Sequence, residues 1–251
     1  MEIVLVHGGL HGAWCWDHVA PFLAEAGLAV SAPDLPGMGE DRTPLNEVTL
    51  ASTADFLAHH VRQRRDVILV GHSMAGPAIS ECAERAPDHL LGLVYLAANL
   101  VPSGQSMRDA AATNLEGVMS GVRLSADGIS STYDAKAALG RFYNTTDRAE
   151  AERAIDRLTP QPLEPTVAPL SLTDGRFGSV ARAYIECLQD RAIPIAFQRQ
   201  MRQVLPCEIV VTMDCDHSPF LCQPQRLAEH LMRVAQDFQR RRAGSGRSEA
   251  R

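Results

Sequence analysis

Val67-Ile68-Leu69-Val70-Gly71-His72-Ser73-Met74-Ala75-Gly76 decides how this chain folds. Its first four residues are aliphatic at every position, the pattern of a strand buried on both faces and therefore of a parallel sheet covered by helices. Small residues follow, and Met74 to Arg85 then has helical composition. A strand that turns at once into a helix, with a serine between very small neighbours, is a sharp elbow that lifts a hydroxyl clear of the backbone. A serine hydroxyl is a weak nucleophile until a base reaches it, and the elbow presents it to one. The N–H of Met74, at the start of the helix, is left free to face a developing oxyanion. The plainer reading is that Ser73 only caps the helix, a position serine favours. The second flanking position holds Ala75 with Gly76 after it, and alanine does not readily take positive φ, so Ala75 is expected only to tighten the packing.

Toward the N-terminus, Ile3 to Val6 is a short strand ending at glycines, and Ala13 to Ala26 carries Trp16, Val19, Phe22, Leu23 and Ala26 at helical spacing, with Pro21 obscuring the helix start. Leu28 to Ala32 repeats the strand signal and ends in the turn-rich run from Pro33 to Gly39, where Asp34 reads as a turn residue; a helix from about Leu50 to Arg62 follows. Leu91 to Leu96 is another apolar strand. The alternation marks a doubly wound α/β sheet. From Pro102 to about Gly178 the pattern breaks into short helical stretches such as Thr146 to Leu158 and a cluster of prolines at 160, 162, 165 and 169, which marks an insertion. Signals then resume with a strand from Ala183 to Leu188, a helix near Pro194 to Val204, a strand from Glu208 to Met213 and an amphipathic helix from about Gln225 to Arg240. The expected organisation is a core of residues 1–101 and 179–240, a helical cap of residues 102–178 and a disordered tail at 241–251, where no apolar periodicity remains.

A serine elbow on such a sheet takes its partners from loops after later strands, in the order Ser, acid, His. The strand ending at Met213 runs into Asp214-Cys215-Asp216-His217-Ser218, and the strand before it runs into Gln189-Asp190-Arg191. His217 and Asp190 therefore share a sheet edge with Ser73. His217 would move the Ser73 proton, and Asp190 would hold the imidazole tautomer and stabilise the imidazolium. Asp214 and Asp216 compete for the acid role, although a side chain so near in a loop rarely reaches its neighbour's Nδ1. The remaining histidines fall in the N-terminal loop, in the elbow or on helices.

His7-Gly8-Gly9-Leu10-His11-Gly12-Ala13-Trp14 follows the first strand and offers a second free N–H, best that of Gly9. A phosphate cradle is the other reading of a glycine-rich strand-helix loop, but the spaced glycines of a dinucleotide fold are absent. The acyl pocket is expected from the cap together with Leu10, His11, Trp14, Met74 and Phe220.

The composition sets the outer limits. At 251 residues, with 45% apolar and 22% charged residues and a net charge of -6, the chain reads as a globular protein that handles small molecules, with neither nucleic acid nor a membrane as partner. The N-terminus lacks the basic start of a signal peptide and no run is long enough to span a bilayer, so a cytoplasmic location is expected. The six cysteines include no Cys-x-x-Cys pair; reduced thiols, no metal and no cofactor are expected.

With these residues in place, the chain resembles the branch of α/β-hydrolases that holds plant methyl esterases of the methyl salicylate and methyl jasmonate type, hydroxynitrile lyases and related bacterial esterases. The resemblance rests on Val4 to Gly8, His11 to Trp16, Gly71 to Met74, Arg176 to Val180, Asp190 with Ile193-Pro194 and Phe197-Gln198, and Asp216-His217 with Leu221-Cys222 and Pro224-Gln225. It implies a mostly parallel sheet of about six strands with a helical cap inserted before the acid-bearing strand. The lyases of that branch place a lysine after the histidine base and a threonine after the oxyanion-loop histidine; Ser218 and Gly8 stand there in this chain. The resemblance thus implies cleavage of a small carboxylic ester through an acyl-enzyme. A thioesterase or lactonase on the same triad, or a ligand receptor that keeps the triad, are the alternatives, and a homodimer is a common assembly for such soluble enzymes.

Overall fold

The computed structural model describes residues 1–111 and 121–248, with side chains described as far as residue 244. Six parallel strands form the main sheet: β1 (Glu2–Val6), β2 (Ala29–Ser31), β3 (Val67–His72), β4 (Leu90–Leu96), β8 (Arg182–Cys187) and β9 (Ile209–Met213), in the spatial order β2-β1-β3-β4-β8-β9. Alternation along the strands sends side chains to both faces. Val4, Val6, Val67, Leu69, Leu93 and Tyr95 pack beneath helices α2 (Leu50–Arg62) and α3 (Ala75–Arg85). Ile3, Leu5, Ile68, Val70, Val94 and Leu96 pack on the other face against Trp16, Leu23 and the C-terminal helix Pro224–Ser248. Both faces are covered, which is why β3 can be aliphatic throughout.

Local chemistry sets where the elements begin. Thr49 and Ser52 form a reciprocal capping box that starts α2 at Leu50. The stretch from Ala13 to Ala26 is two pieces rather than one helix: a 3-10 turn at Ala13–Trp16 and helix α1 at Ala20–Glu25. Pro21 lies in the first turn of α1, where its missing N–H removes no helical bond.

The register brings the functional loops to one edge. β1 aligns Val6 with Gly71 of β3, β3 aligns His72 with Leu96, and β8 aligns Cys187 with Met213. The chain therefore leaves β1 at His7, β3 at Ser73, β8 at Leu188 and β9 at Asp214 along the same C-terminal side.

Between β4 and β8 lies the cap. Its helices include Ala135–Phe142 and Arg148–Asp156, but it also holds a three-stranded antiparallel sheet of β5 (Val122–Leu124), β6 (Ser130–Tyr133) and β7 (Gln161–Pro162). These strands are too short to show an alternating pattern, so the cap reads as helical from sequence. Residues 112–120 of the expected cap lie outside the described residues.

The C-terminal helix runs on to Ser248, past Arg240 and into the expected tail, of which only residues 249–251 fall outside the description. The extra turns need no apolar residues because they start from a buried Phe238 and are held by Arg242, whose guanidinium lies 2.6 Å from Asp66. Phe238 itself sits against Gly92, where a β-carbon would come within 2.4 Å of the ring. No helix among the described residues is long and apolar enough to cross a membrane.

Candidate active site

Ser73 occupies the left-handed region, with φ of 55°, a conformation that costs a non-glycine residue on the order of 1–3 kcal/mol. Its surroundings hold it there. The Ser73 N–H donates to Leu96 O at 3.2 Å, and its carbonyl accepts from Asn99 N at 3.0 Å and Gly76 N at 3.3 Å. The close approach explains the glycine after Ala75: a β-carbon at Gly76 would lie 1.9 Å from Asn99 O. Ala75 is helical and buried.

Three residues from the loops that follow β3, β8 and β9 meet in one hydrogen-bonded chain. Ser73 Oγ lies 2.9 Å from His217 Nε2, and His217 Nδ1 lies 2.7 Å from Asp190 Oδ2. A carboxylate can only accept, so Nδ1 carries the proton and Nε2 is the acceptor that faces the serine hydroxyl. The backbone N–H groups of Ala192 and Ile193 donate to Asp190 Oδ1 at 2.7 and 2.8 Å, and Gln198 Nε2 donates to Oδ2 at 3.1 Å. Asp190 is thereby fixed with its charge turned on His217. His72 braces His217 from the other side, donating from Nε2 to His217 O at 2.8 Å.

The glycine-rich loop is built on two further histidines. His7 Nδ1–H donates to Gly8 O at 2.9 Å, while its Nε2 accepts from Leu35 N at 2.9 Å. Gly8 O and Gly9 N–H belong to one trans peptide plane, so turning the carbonyl to His7 turns the Gly9 N–H the opposite way. His11 Nδ1–H holds Gly9 O at 2.8 Å, and its Nε2 accepts from the cap's Tyr143 hydroxyl at 2.8 Å. Asp34 is more than a turn residue: its Oδ1 accepts from Ala13 N at 2.6 Å and fastens the far end of the loop. Burial holds the imidazoles of His7, His11 and His72 below the ordinary histidine range, His11 down to about 3. All three are thus neutral struts, and none brings a competing charge to the site.

A cavity of about 340 Å³ opens above Ser73 between core and cap. Gly9, Leu10, Met74, Phe142, Ile193 and Phe197 are among the residues that line it, with His217 and the Gln161 amide. Among the described residues no cluster of His, Cys, Asp or Glu side chains is placed to hold a metal ion.

Residues 3–230 match the alpha/beta hydrolase family. The chain belongs to that family. It is 32% identical to Methylesterase 2 of Arabidopsis thaliana over 94% of this chain and 97% of that protein. With the pyrethroid hydrolase of Sphingobium wenxiniae it shares 35% over 92% of this chain and 86% of the relative. It spans 64% of the length of the putative chloroplastic methylesterase 11 of Arabidopsis thaliana, at 32% identity over 93% of its own length. Among solved structures, a pyrethroid hydrolase from Sphingobium faniae superposes with a TM-score of 0.86 at 29% identity, covering 94% of this chain and 97% of that one.

Not every residue expected at the pocket reaches it. Leu10, His11 and Met74 line the cavity, whereas Trp14 and Phe220 do not. Trp14 stacks on His11 from behind at 5.4 Å, and Phe220 is fully buried, edge-on to His11 at 5.7 Å and His72 at 5.0 Å. They support the wall from outside it. Asp214 and Asp216 face elsewhere: Asp214 Oδ1 accepts from Gln189, and Asp216 Oδ2 accepts from Thr145 N, Thr146 N and Thr146 Oγ1 of the cap at 2.8 to 2.9 Å. Phe142, whose ring lies 5.7 Å from His217, Asn99 and Gln161 had no signal in the sequence, because chain folding alone brings them to the loop.

Proposed function

We propose that this protein hydrolyses small carboxylic esters, with Ser73 as nucleophile, His217 as general base and acid, and Asp190 as the group that orients the imidazole. The observation that carries the reading is the continuous chain from Ser73 Oγ through His217 to Asp190, with the serine held at positive φ. The names of the relatives, esterases and a pyrethroid hydrolase, support an ester as the bond cleaved.

In the derived sequence of steps, Ser73 Oγ attacks the ester carbonyl as its proton passes to His217 Nε2. The developing oxyanion is met by the N–H groups of Gly9 and Met74, the first aimed by His7 through the Gly8–Gly9 peptide. His217 returns the proton to the departing alcohol, leaving the acyl group on Ser73. Water then enters, loses a proton to His217 and releases the acid. Ser218, next to the base, is fully buried and brings no charge to the cavity, in keeping with hydrolysis rather than release of an anion such as cyanide.

The test is turnover of p-nitrophenyl acetate and butyrate by the wild type beside Ser73→Ala. Loss of about a thousandfold or more in kcat/KM is expected. A Ser73→Ala protein that keeps wild-type turnover, or a wild type inert toward a panel of methyl and aryl esters, would overturn the reading.

A further inference from the structure

Most polar side chains that reach the cavity are already engaged. Asn99 Nδ2 points at Ser73 O, His72 Nε2 donates to His217 O, His11 bridges Gly9 and Tyr143, and Thr166 Oγ1 donates to Leu163 O. Gln161 differs. It stands on β7 in the cap, two residues after Thr159, whose N–H donates to Leu10 O at 2.8 Å and whose Oγ1 accepts from Gly39 N at 3.3 Å. The cap strand is thereby tied to the glycine-rich loop. A methyl group added at Gly9 would lie 1.9 Å from Gln161 Oε1 and 3.3 Å from Met74 Sδ, so the amide rests directly on the loop residue whose N–H faces the oxyanion. Neither the oxygen nor the nitrogen of this amide is hydrogen-bonded to another described residue, and the side chain lines the cavity.

A pocket that is apolar over most of its wall uses its few polar groups to fix the ligand's orientation. An amide with donor and acceptor both unspent, resting on Gly9 in the wall of the cavity that holds Ser73, is placed to read a substituent on the carbon next to a carbonyl bound there. We propose that Gln161 is a specificity-determining residue and that the preferred substrates are esters bearing a hydroxyl on the carbon next to the scissile carbonyl. The proposal rests on the esterase reading above. A hydroxyl donates and accepts, so it satisfies the amide whichever way its oxygen and nitrogen are turned. A methylene in the same place would strip water from the amide and leave it unpaired, which is the circumstance that makes a pocket reject an analogue.

Methyl mandelate, as separate enantiomers, and methyl phenylacetate differ by this one hydroxyl and serve as the probes. Both are measured with wild type and Gln161→Met, as substrates and as inhibitors of p-nitrophenyl butyrate hydrolysis, so that slow turnover still yields a ratio of affinities. In the wild type, the mandelate-to-phenylacetate ratio for one enantiomer should exceed that of plain alkaline hydrolysis by about tenfold or more. In Gln161→Met, which keeps the length and bulk of the side chain, it should collapse to the alkaline value. A ratio that the substitution leaves unaltered overturns the proposal, as does a parallel loss on both probes, which would make Gln161 a packing residue. Wild-type protein without p-nitrophenyl butyrate turnover is a separate failure, because it removes the esterase reading first.

Discussion

Lowering the pH from about 7 to about 5 should destabilise this hydrolase through its buried histidines. His11 stays neutral in the folded chain down to about 3, while in the unfolded chain an imidazole binds its proton near a pH of about 6.5. Acid therefore favours the unfolded chain: the effect is absent above the unfolded value and grows by about 1.4 kcal/mol per pH unit as the pH falls toward the folded one. Across the stated window His11 alone removes about 2 kcal/mol. His72, held well below its ordinary value by the same burial, and His7 act in the same direction. The carboxylates held low by their hydrogen bonds, Glu84 and Asp41 among them, act at lower pH, since their unfolded forms titrate at about 4. A loss of about 2 kcal/mol from His11 alone is a sizeable part of a typical domain's 5–15 kcal/mol. Urea unfolding followed by Trp14 and Trp16 fluorescence measures it, with His11→Asn beside the wild type. The variant should lose about 2 kcal/mol of the pH dependence whatever its absolute stability. A wild-type loss below about 1 kcal/mol, or an unchanged dependence in His11→Asn, would refute the assignment of neutral struts.

Asp190→Asn keeps an acceptor for Ala192 and Ile193 but permits the wrong His217 tautomer, so kcat on p-nitrophenyl butyrate should fall by about a thousandfold or more with the fold intact by circular dichroism. Gly76→Ala forces a methyl into Asn99 O; thermal unfolding should show a cost of about 1–3 kcal/mol, and esterase assays should show a loss too, because the N–H of the same residue holds the Ser73 carbonyl. Phe238→Ala opens a hole against Gly92, far from the cavity, and should cost about 3–5 kcal/mol by urea unfolding while kcat/KM holds.

The core strands and the serine turn were legible because their signals are local: four aliphatic residues in a row at Val67 to Val70, then a serine among small neighbours. The alternation of strand and helix marked a parallel sheet, and with it a common edge for Ser73, Asp190 and His217. The pocket was not legible in the same way. Trp14 and Phe220 are large, apolar and close in sequence to the loop residues, yet the backbone turns both rings behind His11. Phe142 and Gln161 come from a cap whose strands are two to four residues long, too short for periodicity to speak. Asp34 resembles any turn residue until the fold sets Ala13 beside it. The last helix is tethered near its end by an ion pair between Arg242 and Asp66, a partner 176 positions away.

Asp216, next to His217, spends one oxygen on the cap residues Thr145 and Thr146 and the other on Ser218 N, and the Asp216 N–H donates in turn to Thr145 Oγ1. The loop that carries His217 and the middle of the cap are therefore one joint. An engineer exchanging caps between relatives could vary the cavity wall freely, but a transplant that lacked hydroxyl and amide donors at these two positions would arrive without its rivet. The first part to work loose would be the imidazole itself, and a loss of turnover in such a chimera would report a slack base before it reported a wrong pocket.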